Sequence, residues 1–209
     1  MFAFLSQTFR RFHDTGAIAP SSRWLGRALA APLTERGEEP IAILEAGPGT
    51  GAVTREIVRH LQPVDHLTLC EINPVFVEHL RERFESDPRL RPHRDRVDIV
   101  QSPVESLEGE GCFDHIVCGL PFNNFDPEQV REIFSVFQRL LRPGGTVNFF
   151  EYAAIRGLKA LLVTRAERER LRGVASVLGE VIEAHERRRK LVLVNLPPAW
   201  ARCLVMGER

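Results

Sequence analysis

Hydrophobic and polar positions alternate along this chain in two rhythms. Apolar residues recur first at helical spacing over residues 2–13, where Phe2, Leu5, Phe9 and Phe12 form a stripe with Phe4 beside it. A loop at 16–22 follows, broken by Pro20. Ser21 or Ser22 is placed to cap a second helix reaching about Ala31. Residues 32–40 read as a polar linker. Short apolar runs bounded by turn residues then alternate with amphipathic segments. The runs predict strands at 41–44 (ending in Glu45), 67–72, 96–100, 113–118 and 146–150. The segments predict helices at 51–61, 74–85 and 127–141, and Arg142-Pro143-Gly144-Gly145 reads as a turn. Strands alternating with helices predict a parallel sheet covered on both faces.

Towards the end the rhythm changes. A helix over about 157–185 aligns Leu171, Val174, Leu178, Val181 and Ile182 on one stripe. Residues 191–196 and 200–206 read as two strands joined by Asn195-Leu196-Pro197-Pro198-Ala199. That connection is too short for a helical crossover, so the pair must be antiparallel. The expected fold class is therefore α/β, a doubly wound sheet ending in an antiparallel hairpin. Residues 38–209 are expected to form this domain, and 1–37 an N-terminal amphipathic helix and cap region.

Composition adds bounds. The chain has 209 residues, 44% hydrophobic and 27% charged, which suits one folded domain and argues against wholesale disorder. No apolar stretch approaches the ~18 residues of a membrane span, and no secretory signal pattern is present. Cys70, Cys112, Cys118 and Cys203 form no CxxC pair and lie in or beside apolar runs, so they are expected to be buried, reduced thiols of a cytosolic protein. No metal is expected. The net charge of +0 hides a pattern: residues 38–155 carry 11 basic against 20 acidic side chains, and 156–190 carry 10 against 5. Arg10, Arg11, Arg23, Arg27 and Arg36 outnumber Asp14 and Glu35 in residues 1–37. An acidic body between two basic segments suits an anionic surface approached from one side.

The strongest chemical signal is Glu45-Ala46-Gly47-Pro48-Gly49-Thr50-Gly51, which follows a predicted strand and opens a helix. Glycines there let the backbone turn sharply and approach a ligand beyond the carboxyl ends of the strands. Gly47, Gly49 and Ala52 formally fit a dinucleotide fingerprint, and Glu71 lies 20 residues after Gly51. Two features argue against a dinucleotide. Pro48 has no N–H for a pyrophosphate, and Glu45 brings negative charge to the place a pyrophosphate would occupy. A carboxylate there suits a ligand carrying an ammonium and a sulfonium, such as S-adenosylmethionine. Glu71, in Leu69-Cys70-Glu71-Ile72-Asn73, is placed to accept both ribose hydroxyls.

On these residues the chain resembles class I S-adenosylmethionine-dependent methyltransferases over about 40–206. The resemblance implies a Rossmann-like seven-stranded sheet in the order 3-2-1-4-5-7-6. It also implies a cofactor site of Glu45, Gly47, Pro48, Gly49, Thr50, Gly51, Glu71, Ile72, Asn73 and Gly119, with S-adenosylhomocysteine as product. The acidic residue that family members often place after the third strand, for the adenine amine, is replaced here by Pro103. Gln101, Glu105 or backbone groups of Ser102 and Val104 are left for that task.

The acceptor loop reads Cys118-Gly119-Leu120-Pro121-Phe122-Asn123-Asn124-Phe125. It is close to the N-[LI]-P-[YF] motif of ribosomal RNA adenine dimethylases, but Gly119 stands where the base-orienting Asn belongs. A buried amine short of one partner costs roughly 1–3 kcal/mol, so nucleic acid is demoted as a partner and rRNA adenine N6-methylation is kept as the alternative. A G-L-P version of the loop resembles the bacterial phospholipid N-methyltransferases and the related ornithine-lipid N-methyltransferases. Gly16-Ala17-Ile18-Ala19-Pro20-Ser21-Ser22, Glu151-Tyr152 and Asn195-Leu196-Pro197-Pro198-Ala199 resemble other segments of that family. The resemblance implies methyl transfer to the head-group amine of phosphatidylethanolamine, its methylated forms, or ornithine lipid. Tyr152, Glu151, Asn123, Asn124 and the Leu120 carbonyl are candidates for positioning the amine or accepting its proton. Phe122, Phe125 and Tyr152 are candidates for cation–π contact with a methylated ammonium. The aromatic stripe at 1–13, flanked by Arg10, Arg11 and His13, is what an interfacial helix needs, which places the protein in the cytoplasm, peripheral on the inner face of an anionic membrane. The Arg187–Lys190 run is placed either on lipid phosphates or at a solvated helix end. The oligomeric state is left open.

Overall fold

The computed structural model describes residues 22–153 and 164–206. Seven strands form one sheet: β1 (Ala42–Ala46), β2 (His66–Glu71), β3 (Val97–Gln101), β4 (Phe113–Cys118), β5 (Leu141–Tyr152), β6 (Glu186–Val192) and β7 (Ala199–Val205). Their order is β3-β2-β1-β4-β5-β7-β6, as expected. The first five run parallel, while β7 is antiparallel to both β5 and β6. Among the described residues five α-helices accompany them: α1 (Arg23–Ala30), α2 (Thr54–Ile57), α3 (Pro74–Ser86), α4 (Pro127–Leu140) and α5 (Arg165–His185).

Side chains alternate across the sheet and build two cores. Leu44, Ala46, Ile116, Val147 and Phe149 face α4 and α5. Ile43, Leu67, Leu69, Val117 and Phe150 face α1, α2 and α3. Local chemistry fixes where the helices start. The Ser22 hydroxyl accepts from the Leu25 amide, Asn73 caps α3 in front of Pro74, and Asp126 with Gln129 forms a capping box on α4. At the amino end of the sheet the buried Asp65 carboxylate lies 2.8 Å from Arg36 and accepts from the amides of Ile41 and Gln62, tying the segment before β1 to the sheet.

The structure departs from the sequence reading at several places. The helix after β1 is short, α2 continuing as a 3₁₀ turn over Val58–His60. The supposed linker is partly folded: Ala31–Thr34 is a 3₁₀ turn that buries Leu33. β6 starts at Glu186 and ends at Val192, so Arg187–Lys190 form an exposed edge strand and not a helix end. Charged residues on an edge strand discourage pairing with a second chain, which is why a run without apolar alternation sits in the sheet. The Arg142–Gly145 turn is an excursion inside β5, since Leu141 pairs with Phe113 and Thr146 with His115. All four cysteines are free, but only Cys70 and Cys118 are buried; Cys112 and Cys203 are half-exposed. The helix expected at 2–13, and the start of the one expected at 157–185, fall outside the described residues.

Candidate active site

The expected site residues all lie at the carboxyl ends of the parallel strands. Gly47–Gly51 follow β1, Glu71–Asn73 close β2, Ser102–Val104 follow β3, Gly119–Asn124 follow β4, and Glu151–Tyr152 end β5. Five adjacent strands at about 4.8 Å spacing spread these groups over roughly 19 Å, from Ser102 at one side to Tyr152 at the other.

The floor of the site is a carboxyl group without a partner. Glu45 is fully buried, and among the described residues neither of its carboxyl oxygens has a hydrogen-bond partner. Burial pushes its pKa up to about 8; Thr54 opposes the shift and the nearby Glu71 adds to it. The Thr54 hydroxyl faces this carboxyl, yet it too closes no hydrogen bond. Asn148 stands in the same cross-strand row, through Val117, with its Oδ1 unpartnered among the described residues and the residue 1% exposed. Buried polar atoms without partners are uncommon in folded proteins and point to a missing ligand or water.

Above this floor the glycine loop is preformed. Gly47, Gly49 and Gly51 all adopt positive φ, and no atom of the described residues lies within 4 Å of the place a Gly49 Cβ would occupy. Glu71 holds the loop: its Oε2 accepts from the Gly49 amide at 3.0 Å and its Oε1 from the Asn73 amide at 2.9 Å. Burial raises the Glu71 pKa and these two amides oppose the rise. Arg83 bonds the Thr50 carbonyl at 2.6 Å from the α3 side, and the Gly47 amide donates to the Cys70 carbonyl at 2.9 Å. Pro48 is buried, whereas Thr50 is exposed. Asn73 Oδ1 is used as the α3 cap, and Ile72 is half-buried beside it. On the third strand, the Ser102 hydroxyl donates to the Pro103 carbonyl and Val104 is buried in the α4 core.

Gly119 joins the two loops. Its amide donates to the Ala46 carbonyl at 2.8 Å, and a Cβ at this position would stand 2.6 Å from the Gly47 carbonyl oxygen. That neighbour is backbone, so no side chain larger than hydrogen fits unless one of the loops moves. The rest of the acceptor loop is anchored in the core. Phe122 is 3% exposed, with its ring centroid 5.2 Å from Phe134 and 5.8 Å from Phe149, and Phe125 is also buried. Of the two readings open for these phenylalanines, cation–π face or core, the structure places both in the core. Leu120 packs against the same core and meets Gly47. Asn123 and Asn124 are half-buried.

The two candidates on β5 point to opposite faces. Tyr152 is half-buried in the α1 core, its ring centroid 5.2 Å from Phe150, and burial raises its pKa, so the phenol keeps its proton. The Glu151 carboxylate turns the other way and is bonded to Arg202, which also holds Glu186. That pairing leaves Glu151 poorly placed as a free base.

Sequence reasoning missed Thr54, Asn148 and Arg170. The Arg170 guanidinium, from α5, donates to the carbonyls of Asn123 (2.7 Å) and Phe125 while pairing with Glu167 at 2.8 Å. It clamps the acceptor loop from behind. Nothing in a charged helix run distinguishes it from its neighbours, whereas Thr54, three residues past the last loop glycine, carried a hint at the start of a helix.

An orphaned carboxyl beneath a glycine-bent loop, in a sheet of this order, fits an adenosyl sulfonium. Known proteins agree. The family described as "Methyltransferase domain" matches residues 43–145, from β1 to the excursion in β5. The chain belongs to the class I S-adenosylmethionine-dependent methyltransferases, it is an enzyme, and S-adenosylmethionine is its cofactor. An ornithine lipid N-methyltransferase from Singulisphaera acidiphila is 32% identical over 153 residues, covering 70% of this chain and 75% of that protein. The O-methyltransferase from Bacillus cereus in complex with S-adenosylhomocysteine superposes with a TM-score of 0.64 at 16% identity, over 97% of this chain and 90% of that one. Magnesium protoporphyrin IX methyltransferase from Synechocystis, with bound S-adenosylmethionine, gives 0.63 at 12% identity, over 88% and 79%. No helix among the described residues is long and apolar enough to cross a membrane.

Proposed function

We propose that this enzyme methylates the head-group amine of a membrane aminolipid, phosphatidylethanolamine and its methylated forms or ornithine lipid, working from the cytoplasmic face of the membrane. The observation that carries the reading is the acceptor loop itself. With a side chain at 119 excluded by the Gly47 carbonyl, the loop offers backbone acceptors on an apolar base and, at the position where the dimethylase motif carries Asn, no side-chain amide to orient a planar nucleobase. A flexible primary amine needs no such amide. The similarity to an ornithine lipid N-methyltransferase supports the same choice.

The cofactor supplies an electrophilic methyl group. Glu71 would take the ribose, backbone of Gly47–Gly51, Ile72, Asn73, Ser102 and Val104 would shape the nucleoside site, and Glu45, on giving up its proton, would set a negative charge at its floor. The amine must reach the site uncharged, because a protonated amine has no lone pair. Desolvation favours the neutral form. The Leu120 carbonyl and the Tyr152 hydroxyl orient it by accepting its hydrogens, and Asn123 and Asn124 line the approach. Proximity and alignment supply most of the rate. The proton leaves to solvent, since Glu151 is held by Arg202.

The test is incubation of the protein with methyl-labelled cofactor and a mixed lipid extract, with ribosomal RNA in a parallel reaction. Label on a lipid head-group nitrogen is expected. Label on RNA and none on lipid overturns the reading. Gly119→Asn should lower lipid turnover and not gain RNA activity, because its side chain meets backbone.

A further inference from the structure

The β6–β7 hairpin ends in an apolar tip with no protein against it among the described residues. Leu193, Val194 and Leu196 are 67%, 62% and 79% exposed. Three large apolar side chains clustered on one turn form a patch, unlike isolated exposed leucines. The patch has a definite place. Ala199 pairs with Tyr152, and the Ala153 amide donates to the Pro198 carbonyl at 2.7 Å. The turn therefore projects from the carboxyl end of β5, the same end of the sheet that carries the acceptor loop.

Basic side chains stand behind the tip. Arg189 and Lys190 are exposed on β6, three to four residues before Leu193, so at about 3.3 Å per residue they lie roughly 10–13 Å back along the strand. That separation matches an apolar tip sunk to the acyl boundary with cations at the level of the phosphates. Trp24, 44% exposed, adds an aromatic of the kind found at such boundaries and lies two residues from Ser22, whose amide donates to Asn195 Oδ1 at 3.1 Å. Asn195 is itself buried and bonds the Pro197 carbonyl, so the start of α1 and the hairpin turn are fastened together. The chain arriving from the aromatic stripe at 1–13 thus joins the fold beside this tip.

We infer that the β6–β7 turn is a membrane-docking element: Leu193, Val194 and Leu196 insert into an anionic bilayer while Arg189 and Lys190 engage lipid phosphates, which presents the acceptor end of the sheet to the head groups. This rests on the aminolipid reading for its purpose, but not for its measurement.

The experiment is co-sedimentation of the full chain with vesicles of phosphatidylcholine and phosphatidylglycerol. The triple substitution Leu193→Ser, Val194→Ser, Leu196→Ser should weaken binding at least about tenfold, with cofactor affinity unchanged as a check on folding. Arg189→Gln with Lys190→Gln should weaken it mainly at low salt. Should the triple variant be poorly folded, Leu196→Trp serves instead: its added emission should shift to the blue on mixing with these vesicles. Wild-type sedimentation by a folded triple variant, or no blue shift, overturns the inference. Methyl transfer to a lipid extract separates the two readings. If both hold, the triple variant loses turnover on vesicles and keeps it in detergent micelles. A protein that docks through the tip yet labels no lipid in either form sinks the aminolipid reading alone.

Discussion

The two halves of the active site are built on different principles. The cofactor half is polar, preformed and electrostatically incomplete: Glu71 accepts from the Gly49 amide of the glycine loop with one oxygen and from the Asn73 amide with the other, while Glu45 lies beneath the loop with no partner among the described residues. The acceptor half is apolar and complete: its loop is pinned by Phe122 in the core and by Arg170 on two carbonyls. On the proposed reading, the first half stores an unmet demand for positive charge that a sulfonium would satisfy. The second stores none, and relies on shape and backbone acceptors. Gly119 is the seam between them, and its lack of a side chain lets the two loops touch.

The difference can be broken most severely at Glu45. Glu45→Gln should reduce cofactor affinity by about 30-fold or more, since it removes the carboxyl that gives up its proton to face a cation. The same change should stabilise the free protein. The carboxyl titrates near 4.5 unfolded and about 8 folded, so its contribution to stability is full below 4.5 and is lost as pH rises through 8. At pH 8 the variant is expected to melt several degrees higher than wild type; a lower melting temperature with unchanged affinity would contradict the division. Glu71→Ala comes next. It frees the Gly49 and Asn73 amides, and affinity for the cofactor should fall about tenfold, since each charged hydrogen bond is worth ~1.5–3 kcal/mol and part is regained from water. The smallest effect is expected at Arg170. Arg170→Ala should leave cofactor affinity unchanged, raise KM for the methyl acceptor and lower kcat a few-fold, and Arg170→Lys should restore only part, because one ammonium cannot span both carbonyls as a guanidinium does. Equal loss of cofactor binding would show that the halves are not separable.

Much of this was legible in the sequence, and the exceptions have physical reasons. Strand–helix alternation and the short Asn195–Ala199 connection carried the parallel sheet and its antiparallel end, while the strand order came from the resemblance to class I methyltransferases. The glycine loop, with Glu71 spaced behind it, carried the cofactor. What failed were features set by distant residues. Glu151 looked available until β7 brought Arg202, 51 positions away, onto it. Phe122 and Phe125 looked like acceptor-facing aromatics, but the core claimed their apolar surface. The Arg187–Lys190 run gave no alternation from which to read a strand. The full burial of Glu45 is set by packing and has no local signature.

The central claim is that a buried carboxyl, without a hydrogen-bond partner among the described residues, accepts the charge of the cofactor. Calorimetric titration of S-adenosylmethionine at pH 7, in two buffers of different ionisation enthalpy, tests it directly. With a pKa of about 8 the Glu45 carboxyl is roughly nine-tenths protonated in the free protein at that pH, so binding should release close to one proton and tighten as pH rises towards 8. That release should vanish in Glu45→Gln. Binding with no proton release in the wild type, or with the same release in the variant, would contradict the account.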